Sequence, residues 1–273
     1  MLRILTTDYP LEPFKVHILG CGSALPTLRH FPSMQVVEVR GKLFMVDCGE
    51  GAQIQLRRSR LRFTKISAIF LSHLHGDHCL GLIGIISSFG LLGRVAKLTV
   101  YAPAELYDIL QQQIRLFCSD LSYEVIFEAV DTTQQKIVYE DRSLTVETIP
   151  LNHRVKCCGY LFREKPTRNP DYQPRSYAYC SDTRYIPTLH ERLRGVSTLY
   201  HESTYGEDNL QKAEKYYHST ARQAAQVARD AGVGQLLLGH YSSRYDDEGV
   251  LLREAREVFE NSRLSDEMMF FDV

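Results

Sequence analysis

Three histidines and an aspartate are concentrated in the segment SHLHGDH, residues 72–78. His73 and His75 are two positions apart, and residues with this spacing on an extended chain point to the same side, so both can bind one ion. Asp77 and His78 follow at the entrance of a predicted helix, where they can serve a second ion. Imidazole nitrogens together with a carboxylate suit Zn²⁺ or a similar divalent cation. The pattern favours a metal site over a solvent-exposed histidine-rich loop.

The segment SHLHGDH also resembles the signature of the metallo-β-lactamase superfamily. The resemblance implies an α/β fold of the αββα type, a sandwich of two mixed β-sheets flanked by helices, with a dinuclear metal site at one edge. It implies further metal ligands later in the chain, each at the end of a strand. The substrate stays open among lactams, thioesters, sulfates, phosphodiesters and others.

Three later residues meet this requirement, because His153 in IPLNHRV, Asp182 in YAYCSDTR and His240 in LLLGHYSS each follow an apolar run. Each alone is more often a structural residue, but their order and common position favour metal ligands. We therefore expect two Zn²⁺ ions per subunit, with Asp182 bridging them. The first ion is assigned to His73, His75 and His153, and the second to Asp77, His78 and His240. Two cations roughly 3.5–4 Å apart can activate water and hold a phosphate, which indicates hydrolysis.

Four more segments resemble motifs of the ribonuclease Z family, endonucleases that trim the 3′ ends of precursor tRNA. They are GCGSALPT (20–27), FMVDCGEGAQIQ (44–55), HEST (201–204) and HST (218–220). The resemblance runs from about residue 14 to residue 245. It implies a precursor tRNA substrate, a 3′-hydroxyl left on the tRNA, a 5′-phosphate left on the trailer, and a homodimer.

The same resemblance implies roles for three residues near the metals. His218 would steady the scissile phosphate and protonate the departing 3′ oxygen, and Glu202 would hold His218 in the right tautomer. Ser219 or Thr220 can cap the helix that follows, which leaves the imidazole at a helix N-terminus, where phosphate is favoured. Asp77 would both bind metal and accept the proton of the attacking water. Taken alone, a helix cap and a surface ion pair would also explain His218 and Glu202.

Other polar residues receive weaker assignments. Asp47 resembles the structural aspartate of the superfamily, which supports the metal loop without binding metal. His201 has no compelling pattern of a ligand, and the histidines at positions 17, 30 and 190 are expected to be structural or exposed. The loop 24–33 is a candidate for contacting the tRNA end, with Phe31 or His30 stacking on a base. The basic stretch 55–65 is either a solvated helix end or a contact for backbone phosphates.

The elements that must position these residues follow from short apolar runs bounded by Gly, Pro or Asp. A tight turn at 40–42 is expected to join the second and third strands into a hairpin. Strands followed by helices occur twice along the chain. This order predicts a single domain over residues 1–273 with two similar halves, each a β-sheet covered by helices on its outer face. Strands are predicted at 14–20, 34–40, 42–48, 65–72, 96–102, 122–129, 143–149, 157–163, 176–181 and 234–240, and helices at 51–60, 79–92, 104–117, 219–231 and 246–261.

The sequence departs from the ribonuclease Z pattern in two places. Bacterial members typically carry a long protruding arm, between the equivalents of His153 and Asp182, that docks the tRNA elbow. Here these two positions are 29 residues apart (182 − 153), so the arm is predicted to be missing or reduced. The usual Pro-Thr-x-x-Arg-Asn segment is altered to PTLRHF at 26–31. Two alternatives therefore stay open: a phosphodiesterase for small or cyclic nucleotides, and a metal-free RNA-binding scaffold.

Composition sets outer limits on function. The 273 residues carry a net charge of −1 and are 44% hydrophobic, which is typical of a globular protein and excludes nucleic-acid binding by bulk charge alone. The start MLRILTTDYP shows no secretory signal, and the apolar run 79–93 is too short to span a bilayer. Seven cysteines without framework spacing indicate reduced thiols. We therefore expect a cytoplasmic protein that does not enter a membrane.

Overall fold

A computed structural model describes residues 12–273, in which two seven-stranded β-sheets face each other. The start MLRILTTDYP lies outside the described residues. The first sheet has the order β14-β1-β2-β3-β4-β5-β6, antiparallel from β14 to β3 and parallel from β3 to β6. Its strands are β1 Phe14–Gly20, β2 Met34–Val39, β3 Lys42–Val46, β4 Ile66–Phe70, β5 Leu98–Ala102, β6 Val125–Ala129 and β14 Phe270–Asp272.

The second sheet has the order β13-β12-β11-β10-β9-β8-β7 and is also mixed. Its strands from β10 to β13 run parallel, and those from β7 to β10 run antiparallel. They are β7 Ile137–Glu140, β8 Leu144–Pro150, β9 Cys158–Glu164, β10 Ser176–Cys180, β11 Thr198–Glu202, β12 Gln235–Gly239 and β13 Ser262–Leu264.

Helices cover the outer face of each sheet, so the predicted αββα sandwich is confirmed. Helices α1, α3 and α4 share a buried cluster with the first sheet, and α5, α7 and α8 pack on the second. The helices are α1 Ala52–Ser59, α2 Gly76–Cys79, α3 Leu82–Leu91, α4 Tyr107–Phe117, α5 Leu189–Arg192, α6 Leu210–Tyr216, α7 Ala221–Ala231 and α8 Gly249–Arg256. No helix in the described part of the chain is both long and apolar enough to cross a membrane.

The central strands of the first sheet, β2, β3 and β4, are buried on both faces, which explains their nearly continuous apolar sequences. In β3, Phe44 and Val46 join the cluster between the sheets, while Leu43 and Met45 point to the helices. Between the sheets, the ring of Phe44 lies 6.0 Å from that of Phe162. The central core therefore belongs to both sheets at once.

The structure differs from the predicted elements mainly where long-range contacts decide. The segment predicted as one helix over 79–92 is divided at Gly81, where an added Cβ would lie 2.1 Å from the carbonyl oxygen of Gly49. This close approach of two backbones packs the metal loop, residues 72–78, against the turn after β3, and α2 ends there. The prediction also missed β7, β11, β13, β14, α5 and α6, and α8 is shorter than the 246–261 expected.

Candidate metal centre and active site

The residues singled out by the sequence leave their strands at the same edge of the sandwich. His73 follows β4, His153 follows β8, Asp182 follows β10 and His240 comes directly after β12. The short helix α2 begins at Gly76 and carries Asp77 and His78 in its single turn. These strands lie in two different sheets, so the site is built across the sandwich.

The first group consists of His73, His75, His153 and Asp182, whose ligand atoms all lie within 4.8 Å of one another. His75 Nδ1 is 3.0 Å from His73 Nε2 and 3.2 Å from His153 Nε2. Asp182 Oδ2 lies 3.7 Å from His73 Nε2 and 3.6 Å from His153 Nε2. Three imidazole nitrogens and one carboxylate oxygen thus surround one point.

The second group consists of Asp77, His78 and His240, and it shares Asp182 with the first. Asp182 Oδ1 lies 3.1 Å from Nε2 of both His78 and His240. Asp77 Oδ2 lies 3.5 Å from His78 Nε2 and 3.6 Å from His240 Nε2. The two oxygens of Asp182 therefore face different groups, which is the arrangement a bridging ligand needs.

The donor atoms fit divalent cations. The Nε2 atoms of His78 and His240 are buried without a hydrogen-bond partner, although buried polar atoms are normally paired. Burial lowers the pKa of His73, His75 and His153, which favours the neutral form that binds a metal ion, whereas the charges of Asp182 and Asp47 outweigh burial and raise the pKa of His78. Zinc and related ions bind imidazole nitrogens and carboxylate oxygens whose lone pairs are not engaged in hydrogen bonds.

A buried carboxylate, Asp47, orients the metal loop from below. It accepts hydrogen bonds from the Ser72 amide at 2.7 Å, the Ser72 hydroxyl at 2.8 Å and the Tyr179 hydroxyl at 2.6 Å. His78 Nδ1 lies 2.7 Å from Asp47 Oδ2, which directs Nε2 of the same ring towards Asp182. The position of Asp47 outside both groups agrees with the supporting role expected for it.

Three functional residues adopt the left-handed backbone region that non-glycine residues rarely occupy. The φ angles are 55° for Asp47, 59° for Asp182 and 58° for His240. Each follows the end of a strand, where the chain must turn sharply to aim a side chain across the edge. Such strained positions concentrate at functional sites, because the surrounding structure has to hold them in place.

His218 and Glu202 lie beside the metal groups as a hydrogen-bonded pair. His218 Nδ1 is 2.9 Å from Glu202 Oε1, and the buried carboxylate also accepts from the amides of Thr183 at 2.7 Å and Ser219 at 3.1 Å. Burial alone would lower the pKa of His218, but the charge and hydrogen bond of Glu202 outweigh it and raise the pKa to about 9. The imidazole is therefore protonated at neutral pH.

The capping residue of α7 is Thr220, one of the two candidates from the sequence. Its hydroxyl accepts from the Gln223 amide, and the Gln223 side chain accepts from the Thr220 amide, which completes a capping box. His218 therefore lies immediately outside the helix. Its ring centroid lies 5.4 Å from that of His240 and 5.2 Å from that of His153.

A cleft of ≈ 290 Å³ opens over these residues. Asp77, Asp182, His218 and His240 line it, together with two exposed residues not assigned from the sequence, Glu50 and Arg154. Asp77 Oδ2 accepts a hydrogen bond of 2.8 Å from the Ala24 amide, so the 24–33 loop also borders the cleft. Burial would raise the pKa of Asp77, but the neighbouring His78 and His240 lower it well below its usual range.

Sequence reasoning also missed Thr204, although the residue lies within HEST. Its hydroxyl lies 2.9 Å from His240 Nδ1 and donates to Glu202 Oε2 at 2.5 Å, so it couples the second metal group to the His218 pair. The motif HEST was a signal for this role, but strand β11, which carries its first two residues, was not predicted. His201 is buried on that strand with its Nε2 unpaired, and it belongs to neither metal group.

The other histidines considered in the sequence, and Phe31, make contacts within the protein. His17 pairs with Glu38 at 3.2 Å, and His190 Nδ1 donates to the carbonyl of Pro187 at 2.6 Å. Both ring nitrogens of His30 face carboxylates, and Phe31 packs against the buried cluster under α1. The apolar side chains that the 24–33 loop exposes are instead Leu25 and Leu28, at 66% and 107%.

Comparison with known proteins agrees with this geometry. A family model described as "Beta-lactamase superfamily domain" matches residues 43–241. A protein named Ribonuclease Z from Bacteroides fragilis is 49% identical, covering 94% of this chain and 98% of its own, and one of the same name from Phocaeicola vulgatus is 47% identical over 96% and 98%. The crystal structure of human tRNase Z, short form, superposes with a TM-score of 0.80 at 25% identity, covering 94% of this chain and 98% of that one. This chain belongs to the ribonuclease Z family of the β-lactamase superfamily.

Proposed function

We propose that this protein is a zinc-dependent phosphodiesterase that removes the 3′ trailer from precursor tRNA, leaving a 3′-hydroxyl on the tRNA and a 5′-phosphate on the trailer. The observation that carries the proposal is the His218–Glu202 pair beside seven convergent ligand side chains. That combination supplies a cationic imidazole at the rim of a candidate two-metal site. The ribonuclease Z name of the relatives that are 42–49% identical supports tRNA as the substrate.

The metal ligands of the proposal are the residues of the two groups. His73, His75 and His153 would hold one Zn²⁺, Asp77, His78 and His240 the other, and Asp182 both. When bound, two such ions activate water and neutralise a phosphate. The carboxylate of Asp77 accepts the proton of the attacking water, since this side chain is ionised and faces the cleft.

His218 acts on the other side of the scissile bond. Its protonated imidazole contacts the phosphate and donates its proton to the departing 3′ oxygen of the tRNA. Glu202 keeps the proton on Nδ1 and aims Nε2 at the cleft, because the carboxylate is fixed by the backbone amides of Thr183, after β10, and Ser219, before α7. Glu202 is thus a positioning residue and His218 the catalytic acid.

The direct test incubates a precursor tRNA with wild type, Asp77→Ala and His218→Ala. Wild type is expected to release a trailer with a 5′-phosphate, and both variants are expected to lose most of this activity. Equal cleavage by all three proteins would contradict the assigned roles. A small chromogenic phosphodiester serves as the second substrate, because cleavage of that ester alone would favour the small-nucleotide alternative, which the relatives do not favour.

The docking of tRNA must differ from that of family members with a long arm. In the structure, β9 and β10 are joined by residues 165–175 alone. The alignment with the Bacteroides fragilis relative spans 298 positions, more than the 273 residues of this chain, so that relative carries residues without a counterpart here. We expect tRNA to be held mainly near the cleft and along the basic stretch 55–65.

Three further features belong to the same proposal. A homodimer, in which one subunit grips tRNA while the other cuts, is supported by the family resemblance and is tested by sedimentation of the purified protein. A single domain is supported by the core that both sheets share. A cytoplasmic location is supported by seven cysteines that are all free thiols, since disulfides are rare in reducing compartments.

A further inference from the structure

A further cluster of ligand-type side chains lies outside the two candidate metal groups. It consists of Cys21, His30, Asp266 and Glu267, whose ligand atoms all lie within 4.8 Å of one another. Cys21 directly follows β1, His30 lies on the 24–33 loop, and the two acidic residues lie between β13 and β14. None of the four belongs to the catalytic metal groups.

The distances within this cluster approach those of a tetrahedral site. Cys21 Sγ lies 3.4 Å from His30 Nδ1 and 3.7 Å from Glu267 Oε1. His30 Nδ1 lies 2.8 Å from Glu267 Oε2 and 3.9 Å from Asp266 Oδ1. Zinc bonds of 2.0–2.3 Å place tetrahedral ligand atoms about 3.3–3.8 Å apart. Of these four distances, the one between His30 and Glu267 is shorter than this range and must open by about half an ångström.

A further carboxylate orients the histidine of the cluster. His30 Nε2 lies 3.3 Å from Glu248 Oε1, and Arg29 Nη2 holds the same oxygen at 2.8 Å. With Nε2–H donating to Glu248, His30 presents the lone pair of Nδ1 to Cys21 and Glu267. A carboxylate behind the distal ring nitrogen is the usual support of a metal-bound histidine.

The local charge also favours a cation. The imidazole of His30 is surrounded by three carboxylates, those of Asp266, Glu267 and Glu248. Arg29 pairs with one of them, Glu248. A divalent ion would neutralise these carboxylates and stabilise the thiolate of Cys21.

We propose that Cys21, His30, Asp266 and Glu267 form a separate mononuclear site for Zn²⁺ or a similar thiolate-binding divalent cation. Binding forms the bond between sulfur and metal and releases the thiol proton to solvent, with no change in oxidation state. The site goes beyond the proposed tRNA processing and does not depend on it. Its role is structural, since all four positions are supplied by protein side chains.

The ion would also stabilise the backbone next to two candidate metal ligands, Asp77 and His240, through two hydrogen bonds. The amide of Tyr241, the residue after His240, donates to the carbonyl of Cys21 at 2.9 Å. On the same loop as His30, the Ala24 amide donates to Asp77 Oδ2 at 2.8 Å. Fixing Cys21 and His30 to the segment before β14 therefore also fixes the backbone beside two candidate catalytic ligands.

The test uses Co²⁺ as a spectroscopic probe. Metal-free wild type loaded with Co²⁺ is expected to show a thiolate-to-cobalt charge-transfer band in the near ultraviolet, because the catalytic groups contain no cysteine. Cys21→Ser is expected to lose the band, and His30→Gln to weaken it. Two cysteine variants are the matched controls, and both are expected to keep the band. Cys118→Ser replaces a buried cysteine outside the cluster, and Cys157→Ser replaces one whose sulfur lies 3.8 Å from His73 Nδ1.

Zinc content gives an independent readout. After dialysis against Zn²⁺, Cys21→Ser is expected to retain one ion fewer per chain than wild type or Cys118→Ser. Absence of the band from folded wild type, its survival in Cys21→Ser, or equal zinc content in the two proteins would overturn the proposal. Failure to cleave precursor tRNA would not bear on it, so the two proposals fail separately.

Discussion

At the scale of single residues, the chemistry of the candidate site depends on which side chains are charged. His218 is a cation because Glu202, buried beneath it, is a fixed anion with amide donors on both oxygens. The three histidines of the first metal group are neutral because burial opposes their protonation. The two roles proposed for histidine in this site, proton donor and metal ligand, are thus matched by different surroundings.

Replacement of His218 by alanine is expected to reduce kcat on precursor tRNA by a factor of roughly 100 or more, the usual contribution of a general acid. Zinc content should stay unchanged, because the residue is not assigned as a ligand. His190→Ala is the matched control, since that ring contacts only the Pro187 carbonyl among the hydrogen-bond partners described. Equal loss of activity and of zinc would contradict the assignment.

Glu202→Gln is expected to move the alkaline limit of activity to lower pH. The catalytic acid must be protonated, so activity falls as the pH rises through the pKa of His218, which Glu202 raises to about 9. Removal of the negative charge lowers that pKa, and the fall begins earlier. Profiles of kcat against pH for both proteins measure the shift. An unchanged alkaline limb would show that Glu202 does not act through the charge of His218.

At the scale of elements, strand ends and the turns after them place the ligands. Each of the three left-handed residues turns the chain directly after, or within two residues of, a strand of the sandwich. Asp47 ties three elements together, since it binds the loop after β4, His78 on α2 and Tyr179 on β10. The metal loop is thus fastened to both sheets through one carboxylate.

Asp47→Asn is expected to lower zinc affinity about 10- to 100-fold, the usual cost of removing a group that orients a metal ligand. The amide cannot accept all the bonds that the carboxylate accepts from Ser72, Tyr179 and His78. Competition with a chromogenic chelator measures the affinity. Tyr179→Phe, which removes one donor only, should give a smaller decrease, and the reverse order would contradict this account.

Thr220→Ala is expected to lower the free energy of unfolding by about 1 kcal/mol, because α7 loses its N-cap and half of its capping box. The measurement is urea denaturation of the metal-loaded protein. Thr220→Ser keeps the hydroxyl and is the matched control. If serine and alanine destabilised the protein equally, lost packing of the threonine methyl group, and not the cap, would be the cause.

At the scale of the whole molecule, the sandwich presents its catalytic edge without a long arm to grip tRNA. The basic residues on α1 and the turn after it are exposed, and Arg60, Arg62 and Lys65 line a shallow depression with Gly41. Phosphate contacts at this surface would supply affinity without sequence specificity.

The double substitution Arg60→Glu, Arg62→Glu is expected to raise KM for precursor tRNA several-fold and to reduce the salt dependence of binding, because fewer counterions are released. Hydrolysis of a small phosphodiester by the same variant should be unaffected, which provides the control within one protein. An unchanged KM for tRNA would mean that the basic stretch is only a solvated helix end.

The sequence by itself predicted which side chains could hold metal ions. The spacing of SHLHGDH and the apolar runs before His153, Asp182 and His240 are local patterns, and local patterns encode strand ends and the side chains that leave them. The main strands could therefore be predicted from local patterns, whereas the αββα sandwich and the demand for later ligands came from the resemblance to the metallo-β-lactamase superfamily.

Only the tertiary structure decided which distant residues support and surround that site. The hydroxyl of Thr204 on His240 Nδ1, the contact of Asp47 with Tyr179, and the cluster of Cys21 with Glu267 join positions 36, 132 and 246 residues apart. No local period records such pairs, because they arise when two sheets close on one core and bring loops to the same edge. For the same reason His30, which the sequence offered as a candidate for stacking on a base, lies among carboxylates in the folded chain.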